Sequence, residues 1–342
     1  MKLYEIIIEP ISGMGTPLKG DTIFGHFCWQ VAYEPDLVEG GLESLIGSYA
    51  ARPGIVFSSA FPILESGQFR YALKRPDIPP TFLFPSESGN RIRNMKERKE
   101  NKKKKWLLVE RDLRIVPGES PCIDDRELAE LALASDPNTG QDTPSEWSLP
   151  RFERAFAQPH NTINRMTGTT GTGEFAPFTA DSVHYYPGTR LAVFVLVDKS
   201  ITTVDRVAKA LRSIGKFGFG RDASTGLGRF SVIGHGEIEF PGSGAADSLY
   251  CLSPCVPEPG TFTDAYFSPF VRFGRHGDRL GTCGLPFKNP VLMADEGAVF
   301  IPTDSRALEK RYFGRAVHNL SRAEPNTVTQ GYSVCLPMKM EV

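Results

Sequence analysis

The segment Lys216–Phe230, KFGFGRDASTGLGRF, sets four glycines (Gly218, Gly220, Gly226, Gly228) among Lys216, Arg221, Arg229, Ser224 and Thr225. Glycine backbone lets main-chain N–H groups approach a ligand closely and tolerates positive φ. Cations and hydroxyls are the side chains that contact phosphate oxygens. A nucleotide P-loop is excluded, because that motif runs from strand to helix and carries a Lys straight after its last glycine. Here a helical pattern (Val204, Val207, Ala208, Leu211, Ile214) comes first and the strand-like Phe230–Ile233 follows. Gly220 and Gly226 are also spaced wrongly for it, and Leu227 stands where the Lys should be. The chemistry expected is a loop that hugs a nucleic-acid backbone. Taken alone, the cluster also fits a solvent loop with no ligand.

Three other clusters carry groups of the same kind. Gly15–His26, GTPLKGDTIFGH, puts Lys19 and Thr22 at a helix N-terminus, where unpaired N–H groups and the macrodipole favour a phosphate. Ordinary capping by Asp21 explains the same residues. His160–Gly173, HNTINRMTGTTGTG, joins His160, Asn161, Asn164, Arg165 and Thr167, whose amides, hydroxyl and guanidinium suit phosphate, sugar and base edges. The third cluster is Ala72–Pro76, with Arg75, leading towards the Lys-rich run Arg91–Lys105. That run holds nine Lys/Arg against two Glu, a local charge of +7 that leaves −8 for the rest of a chain whose net charge is −1. A basic cluster in an acidic chain suggests a local nucleic-acid contact at Lys102, Lys103, Lys104 and Lys105; a solvated loop is the alternative.

The elements that must position these groups follow from periodicity. Leu3–Ile11 reads as a strand, and a helix with Asp21 as N-cap is expected through about Ala32, with His26 in its middle between Phe24 and Phe27. Leu42–Tyr49 is a short helical pattern, Gly54–Ile63 and Gln68–Lys74 look like strands, and a Pro-broken segment follows. Trp106–Val116 is strand-like, Asp124–Ala134 is a helix with an acidic first turn, and Asp136–Pro150 reads as a loop. Strand signals resume at Arg190–Val197, followed by the Val204–Ile214 helix, the glycine loop and the strand Arg229–Phe240. The order to residue 240 is then strand, helix, strand, strand, helix, strand. That is the ferredoxin-like pattern shared by RNA-recognition domains, with about Leu64 to Thr189 as an insertion. Pro241–Ala246 marks a boundary before a strand-rich second unit, residues 241–342, with little helix besides Ser305–Phe313.

The 342 residues suffice for two cores, and 40% hydrophobic with 23% charged residues is ordinary for a soluble globular chain. The start MKLYEIIIEP has no signal-peptide pattern, and no apolar run approaches the roughly 18–20 residues of a membrane helix. Six scattered cysteines do not form a disulfide scaffold, and Cys251, Cys255, Cys283 and His276 lack the spacing of a common zinc motif. A reduced, cytoplasmic protein without metal, cofactor or membrane contact is expected.

The segments GTPLKGDTIFGHFCWQ, HNTINRMTGTTGTGEFAPF, GFGRDASTGLGRF and PFKNPVLMADEGAVF resemble, in order and across nearly the whole chain, the successive motifs of one family. It is the RAMP superfamily subunit four (the Cas-five group) of type III-A, or Csm, CRISPR effector complexes. The closing GYSVCLPMKM resembles that family's last strand. The resemblance implies an α+β chain: a ferredoxin-like (RRM-like) RAMP domain with a long inserted thumb region, then a strand-rich C-terminal domain. It implies a non-catalytic subunit that grips the 5′ repeat-derived handle of crRNA and docks the large Cas-ten-type subunit and the first backbone RAMP subunit. A β-hairpin thumb kinks the guide in such subunits, and the insertion carrying Arg75 and Lys102–Lys105 resembles the thumb and its flanks. The RNA contacts expected are therefore Lys19, Thr22, His26, Arg75 and Lys102–Lys105 with the His160–Thr167 and Lys216–Arg229 groups named above.

Two other readings stay open. RAMP relatives that process crRNA cleave without metal, by 2′-OH attack with histidine as acid or base, which would recruit His26 and His160. The chain would otherwise be the equivalent subunit of another type III subtype, although PFKNPVLMADEGAVF favours III-A.

Overall fold

The computed structural model describes residues 1–65, 67–84, 91–134 and 151–340, and among these described residues there are sixteen strands. The first nine are β1 (Lys2–Pro10), β2 (Ile55–Pro62), β3 (Tyr71–Lys74), β4 (Trp106–Val109), β5 (Cys122–Ile123), β6 (Glu153–His160), β7 (Phe178–Tyr185), β8 (Leu191–Val197) and β9 (Phe230–Ile238). The rest are β10 (Ser248–Cys251), β11 (Phe262–Tyr266), β12 (Pro269–Arg272), β13 (Val291–Ala294), β14 (Val299–Pro302), β15 (Tyr312–Gly314) and β16 (Tyr332–Met338). The helices are α1 (Gly20–Tyr33), α2 (Gly41–Ser48), α3 (Pro80–Leu83), α4 (Arg91–Asn101), α5 (Asp125–Ala134) and α6 (Val204–Phe217).

A four-stranded antiparallel sheet in the order β2-β8-β1-β9 organises the first part of the chain. Its central strand β8, LAVFVLV, is buried at every position, as an apolar run covered on both faces must be. Side chains alternate between those faces. Phe57, level with Val195, meets Phe27 of α1 at 5.5 Å between ring centroids, whereas Phe194 meets Tyr71 of β3 edge-on at 5.1 Å. Helix α1 thus covers one side of the sheet and the insertion covers the other. Burial of such an aromatic ring contributes roughly 1.5–3 kcal/mol. Helix α6 opens on Thr203, whose hydroxyl accepts the Arg206 N–H at 3.4 Å, and stops at Gly218, where φ is +110°. A positive φ ends a helix most cheaply at glycine.

Within the insertion, β3, β4 and β5 form a small sheet, and β6 and β7 pair as a separate antiparallel ribbon from Glu153↔Tyr185 to His160↔Phe178. The basic run is not a hairpin. Arg91–Asn101 is helical, and the lysines after it lead through a turn into β4. The stretch expected as a loop at 136–150 lies outside the described residues.

The second sheet, β11-β14-β10-β16-β15, shares its core with the first. Tyr250, Tyr332, Val334 and Leu336 belong to the same contiguous cluster of buried residues as Leu3, Phe57 and Val195. Gln330, fully buried, closes the outer edge of β2 like a short piece of strand. It accepts the Phe57 N–H at 2.9 Å and donates to the Phe57 carbonyl at 2.7 Å. An unsatisfied pair of backbone groups there would cost about 1–3 kcal/mol each.

Candidate nucleic-acid interface

The glycine loop sits on a scaffold drawn from three distant parts of the sequence. The Gly220 N–H donates to Nε2 of His26 on α1 at 3.0 Å, and the His26 ring packs against Phe219 at 4.6 Å. The Arg221 N–H donates to Thr16 Oγ1 at 2.9 Å, the Arg229 N–H to Ser12 Oγ at 2.9 Å, and the Gly228 N–H to the Gly13 carbonyl at 2.8 Å. The Arg221 guanidinium donates to the Asp181 carbonyl of β7 and pairs with Asp222 at 3.2 Å. Met14 and Val183 exchange both backbone bonds, at 2.8 and 2.9 Å, which fastens the root of the β6–β7 ribbon to the same place. On this frame Lys216, Arg221, Ser224, Thr225 and Arg229 all face solvent.

The glycines divide into two kinds. A Cβ on Gly218 would meet the Leu227 carbonyl at 2.6 Å, and one on Gly220 or Gly228 would overlap Thr16 or the Phe219 backbone. These three are glycine because the protein packs against itself there. Gly226, at φ +99°, faces open space, so it alone of the four matches the expectation of bare backbone presented to a ligand.

Several residues expected to touch RNA are engaged within the protein instead. His26 is part-buried with its acceptor nitrogen taken, and burial pushes its pKa down to about 4, so the ring is neutral. Lys19 pairs with Asp295 and, at 3.0 Å, with Glu296, and lies 4.9 Å over the Phe270 ring. It joins the start of α1 to β12 and to the turn between β13 and β14. Asp21 is not the N-cap; it lies in the first turn of α1 and binds Arg272 bidentately at 2.6 and 3.0 Å, while Lys19 holds the capping position without a side-chain bond. Thr22 stands part-exposed beside it, its N–H bonded to the Lys19 carbonyl at 3.0 Å. Arg75 donates to the Asn101 carbonyl at 2.9 Å and so closes the C-terminus of α4.

In the Lys run, Lys103 pairs with Glu100 and Lys105 with Asp125, each at 2.8 Å. Lys104 lies 5.7 Å over Phe84. Lys102 is exposed and makes no ion pair among the described residues.

The His160 cluster forms the far end of the ribbon. His160 stacks on Phe178 at 5.2 Å with the rings 12° from parallel. Asn164 turns the tip by accepting the Met166 N–H through Oδ1 at 2.9 Å, and Thr167 and Thr169 share a hydroxyl bond of 3.0 Å. Asn161, Ile163, Arg165 and Met166 are exposed, Met166 by 93%. Five residues separate Phe178 from Val183, about 17 Å of strand. The tip and the glycine loop are therefore two contact regions joined by one ribbon.

The ribbon contributes residues that the sequence did not flag. Pairing places Arg154 opposite His184 and Phe156 opposite Ser182, on the same face as His160 and Phe178. This aromatic and basic face runs from root to tip. At the root it lines a cleft of about 580 Å³ with Glu9, Pro10, Ile11, Ser12, Tyr185, Pro187 and Gly188. The alternation in FTADSVHY was the available signal, whereas Pro159 obscured β6. A larger cleft, about 1080 Å³, around Glu5, Arg111, Arg114, Glu119, Glu237 and Lys339 mixes both signs of charge and suits a polyanion less well.

Among the described residues no three His, Cys, Asp or Glu side chains gather as metal ligands, and no helix is long and apolar enough to cross a membrane. Cys251 and Cys335 lie opposite each other in the buried second sheet, 3.4 Å apart at sulfur. His276 bonds instead to Ser321 at 2.6 Å.

No family model and no curated relative matches this chain. Solved structures do. A chain of a Csm1–Csm4 cassette in complex with pppApA is 16% identical with a TM-score of 0.54, covering 99% of each chain. A chain of the same cassette in complex with AMPPNP is 17% identical with a TM-score of 0.52, covering 100% of this chain and 99% of the other. A chain of the Csm3–Csm4 subcomplex in the type III-A CRISPR-Cas interference complex is 12% identical with a TM-score of 0.56, covering 98% and 99%. The component common to cassette and subcomplex is Csm4. At these identities the likeness is one of fold, end to end.

Proposed function

We propose that the chain is a Csm4-type RAMP subunit of a type III-A CRISPR ribonucleoprotein, acting in the cytoplasm and holding the 5′ repeat-derived handle of crRNA. Three lines support the reading: the collinear motifs, the end-to-end likeness of fold to chains of Csm1–Csm4 and Csm3–Csm4 assemblies, and the glycine loop. The loop carries it. Lys216, Arg221, Ser224, Thr225 and Arg229 face solvent together, on backbone pinned by His26, Thr16 and Ser12, so phosphate donors are preorganised.

The strand order β2-β8-β1-β9, with α1 and α6 as the intervening helices, supports reading the first part of the chain as a ferredoxin-like RAMP domain. The second sheet then forms the C-terminal domain from about residue 241. The β6–β7 ribbon, in place of the Lys-rich segment, is the thumb. Its exposed Ile163 and Met166 are apolar groups able to wedge between bases. The large Cas-ten-type subunit and the first backbone subunit are the protein partners, in the places that Csm1 and Csm3 hold in the similar assemblies.

The subunit does no chemistry of its own. Phosphodiester cleavage by 2′-OH attack needs an acid and a base within hydrogen-bond reach of one phosphate. Nε2 of His26 is taken by Gly220, and His160 stands at the other end of the ribbon. The test is reconstitution of the complex with and without this chain. The reading expects crRNA with an intact 5′ handle to co-purify only when the chain is present, and Arg221→Glu with Arg229→Glu to lose it. Full crRNA occupancy with the double variant would refute the grip.

A further inference from the structure

The cleft at the root of the β6–β7 ribbon has the makings of a base pocket. Its apolar walls are solvent-facing: Phe156 is 47% and Ile11 65% exposed, although both line a concavity. Large apolar groups left wet in a cleft mark a binding site more often than a packing fault. The His184 ring is fixed there. Its Nε2 lies 3.2 Å from Ser182 Oγ, its ring meets Phe156 edge-on at 5.6 Å, and the Gly13 backbone packs against it so closely that any Cβ would overlap the imidazole. Arg154 is its cross-strand neighbour. Ser12, in the same lining, accepts the N–H of Arg229, so the cleft opens directly beside the glycine loop.

We propose that this cleft receives a single unpaired nucleobase of the bound RNA, stacked on Phe156 with Ile11 on its other face and its edge turned to His184 and Arg154. The inference rests on the RNA-binding reading above and goes beyond it, since neither the glycine loop nor the ribbon tip requires a base at this point. The position of the cleft beside Arg229 makes it possible. A backbone held by Arg221 and Arg229 passes the mouth of the cleft, and one splayed base then reaches a cavity of about 580 Å³, inside the roughly 300–1,000 Å³ span of small-ligand sites. Sequence-tolerant recognition by aromatic stacking is the common mode for unpaired bases, and the polar edge here adds hydrogen-bond readout from an imidazole and a guanidinium.

The test uses the full chain and fluorescein-labelled single-stranded RNA dodecamers, each with one abasic ribose at a successive position, plus a matching set with one 4-thiouridine for photo-crosslinking. One abasic position should weaken binding on the order of 5- to 150-fold, the worth of a stacked base. Phe156→Ala should cost the same and should add nothing to that abasic probe, whereas Phe156→Trp should retain binding. The crosslinked peptide should contain Phe156 or His184. Wild-type binding with a flat abasic scan, unaffected by Phe156→Ala, would overturn this inference and leave the RNA-binding reading standing. Absence of any RNA binding by the wild-type chain, alone and in the reconstituted complex, would overturn both.

Discussion

Nε2 of His26 accepts the N–H of Gly220 at 3.0 Å, across nearly two hundred residues of sequence. The bond requires a neutral imidazole, and burial supplies it by holding the pKa near 4. In the unfolded chain the same group titrates near 6.5. Between those values the unfolded chain binds a proton that the folded chain does not. Stability from this group is therefore complete above about pH 6.5 and lost as pH falls towards 4.

His26→Gln keeps an acceptor but removes the titration. The difference in unfolding free energy between wild type and variant should grow by at most about 3 kcal/mol from pH 4.5 to pH 7. Urea unfolding at both pH values measures it. A difference independent of pH would show that the ring is not the buried neutral acceptor.

Gly220 and Gly226 should respond differently to a methyl group. Both have positive φ, +74° and +99°, a conformation that costs an L-residue about 1–2 kcal/mol. Gly220→Ala adds overlap with Thr16 and should lose stability well beyond that cost. Gly226→Ala meets nothing within 4 Å, so it should remain within about 2 kcal/mol of wild type while weakening RNA retention. Melting curves beside anisotropy titrations separate the two; equal destabilisation would remove the distinction.

The Lys-rich run should contribute less to salt dependence than its charge suggests. Four phosphate contacts would contribute about −2.8 to the log–log slope for single strands. Two of the lysines are paired with carboxylates. Replacing Lys102–Lys105 by Gln should therefore flatten the slope by about 0.7–1.4. A change near 2.8 would mean that RNA displaces both ion pairs.

Lys19 should matter for stability. It, Asp295 and Glu296 each keep a fifth or less of the side chain exposed. Lys19→Met leaves Lys74, at 3.4 Å from Asp295, as the cation beside both carboxylates and should cost about 2–4 kcal/mol, with Asp295→Asn in the same chain restoring part of it. If Lys19→Met leaves unfolding unchanged but abolishes RNA retention, Lys19 is a phosphate ligand after all.

His160→Phe keeps the stack on Phe178 and removes every acid–base capacity. Complexes carrying it should assemble, hold crRNA and cleave target as wild type does, measured by gel-based cleavage under single-turnover conditions. Loss of guide maturation in an assembled complex would favour the enzyme reading.

Much of the framework was legible from the chain. Leu3–Ile11, Arg190–Val197 and Arg229–Phe240 read as strands and 204–214 as a helix, because a run of β-branched residues or a 3.6-residue apolar period declares itself locally. The cluster Lys216–Arg229 was equally plain as composition. Its inner logic was not. That Gly220 faces Thr16, or that Lys19 meets Asp295 and Glu296, depends on elements over two hundred residues apart. No local pattern encodes such contacts.

The β6–β7 ribbon shows the limit from the other side. ERAFAQPH lacks strand periodicity and contains a proline, so its pairing with FTADSVHY had no local sign. Only tertiary structure decided that His160 lies at a tip and His184 at a root, since cross-strand register is set by the partner strand and by where Met14 and Val183 anchor it. Residue types determined what chemistry this protein could present. Long-range packing determined which of those groups are left facing solvent to do it.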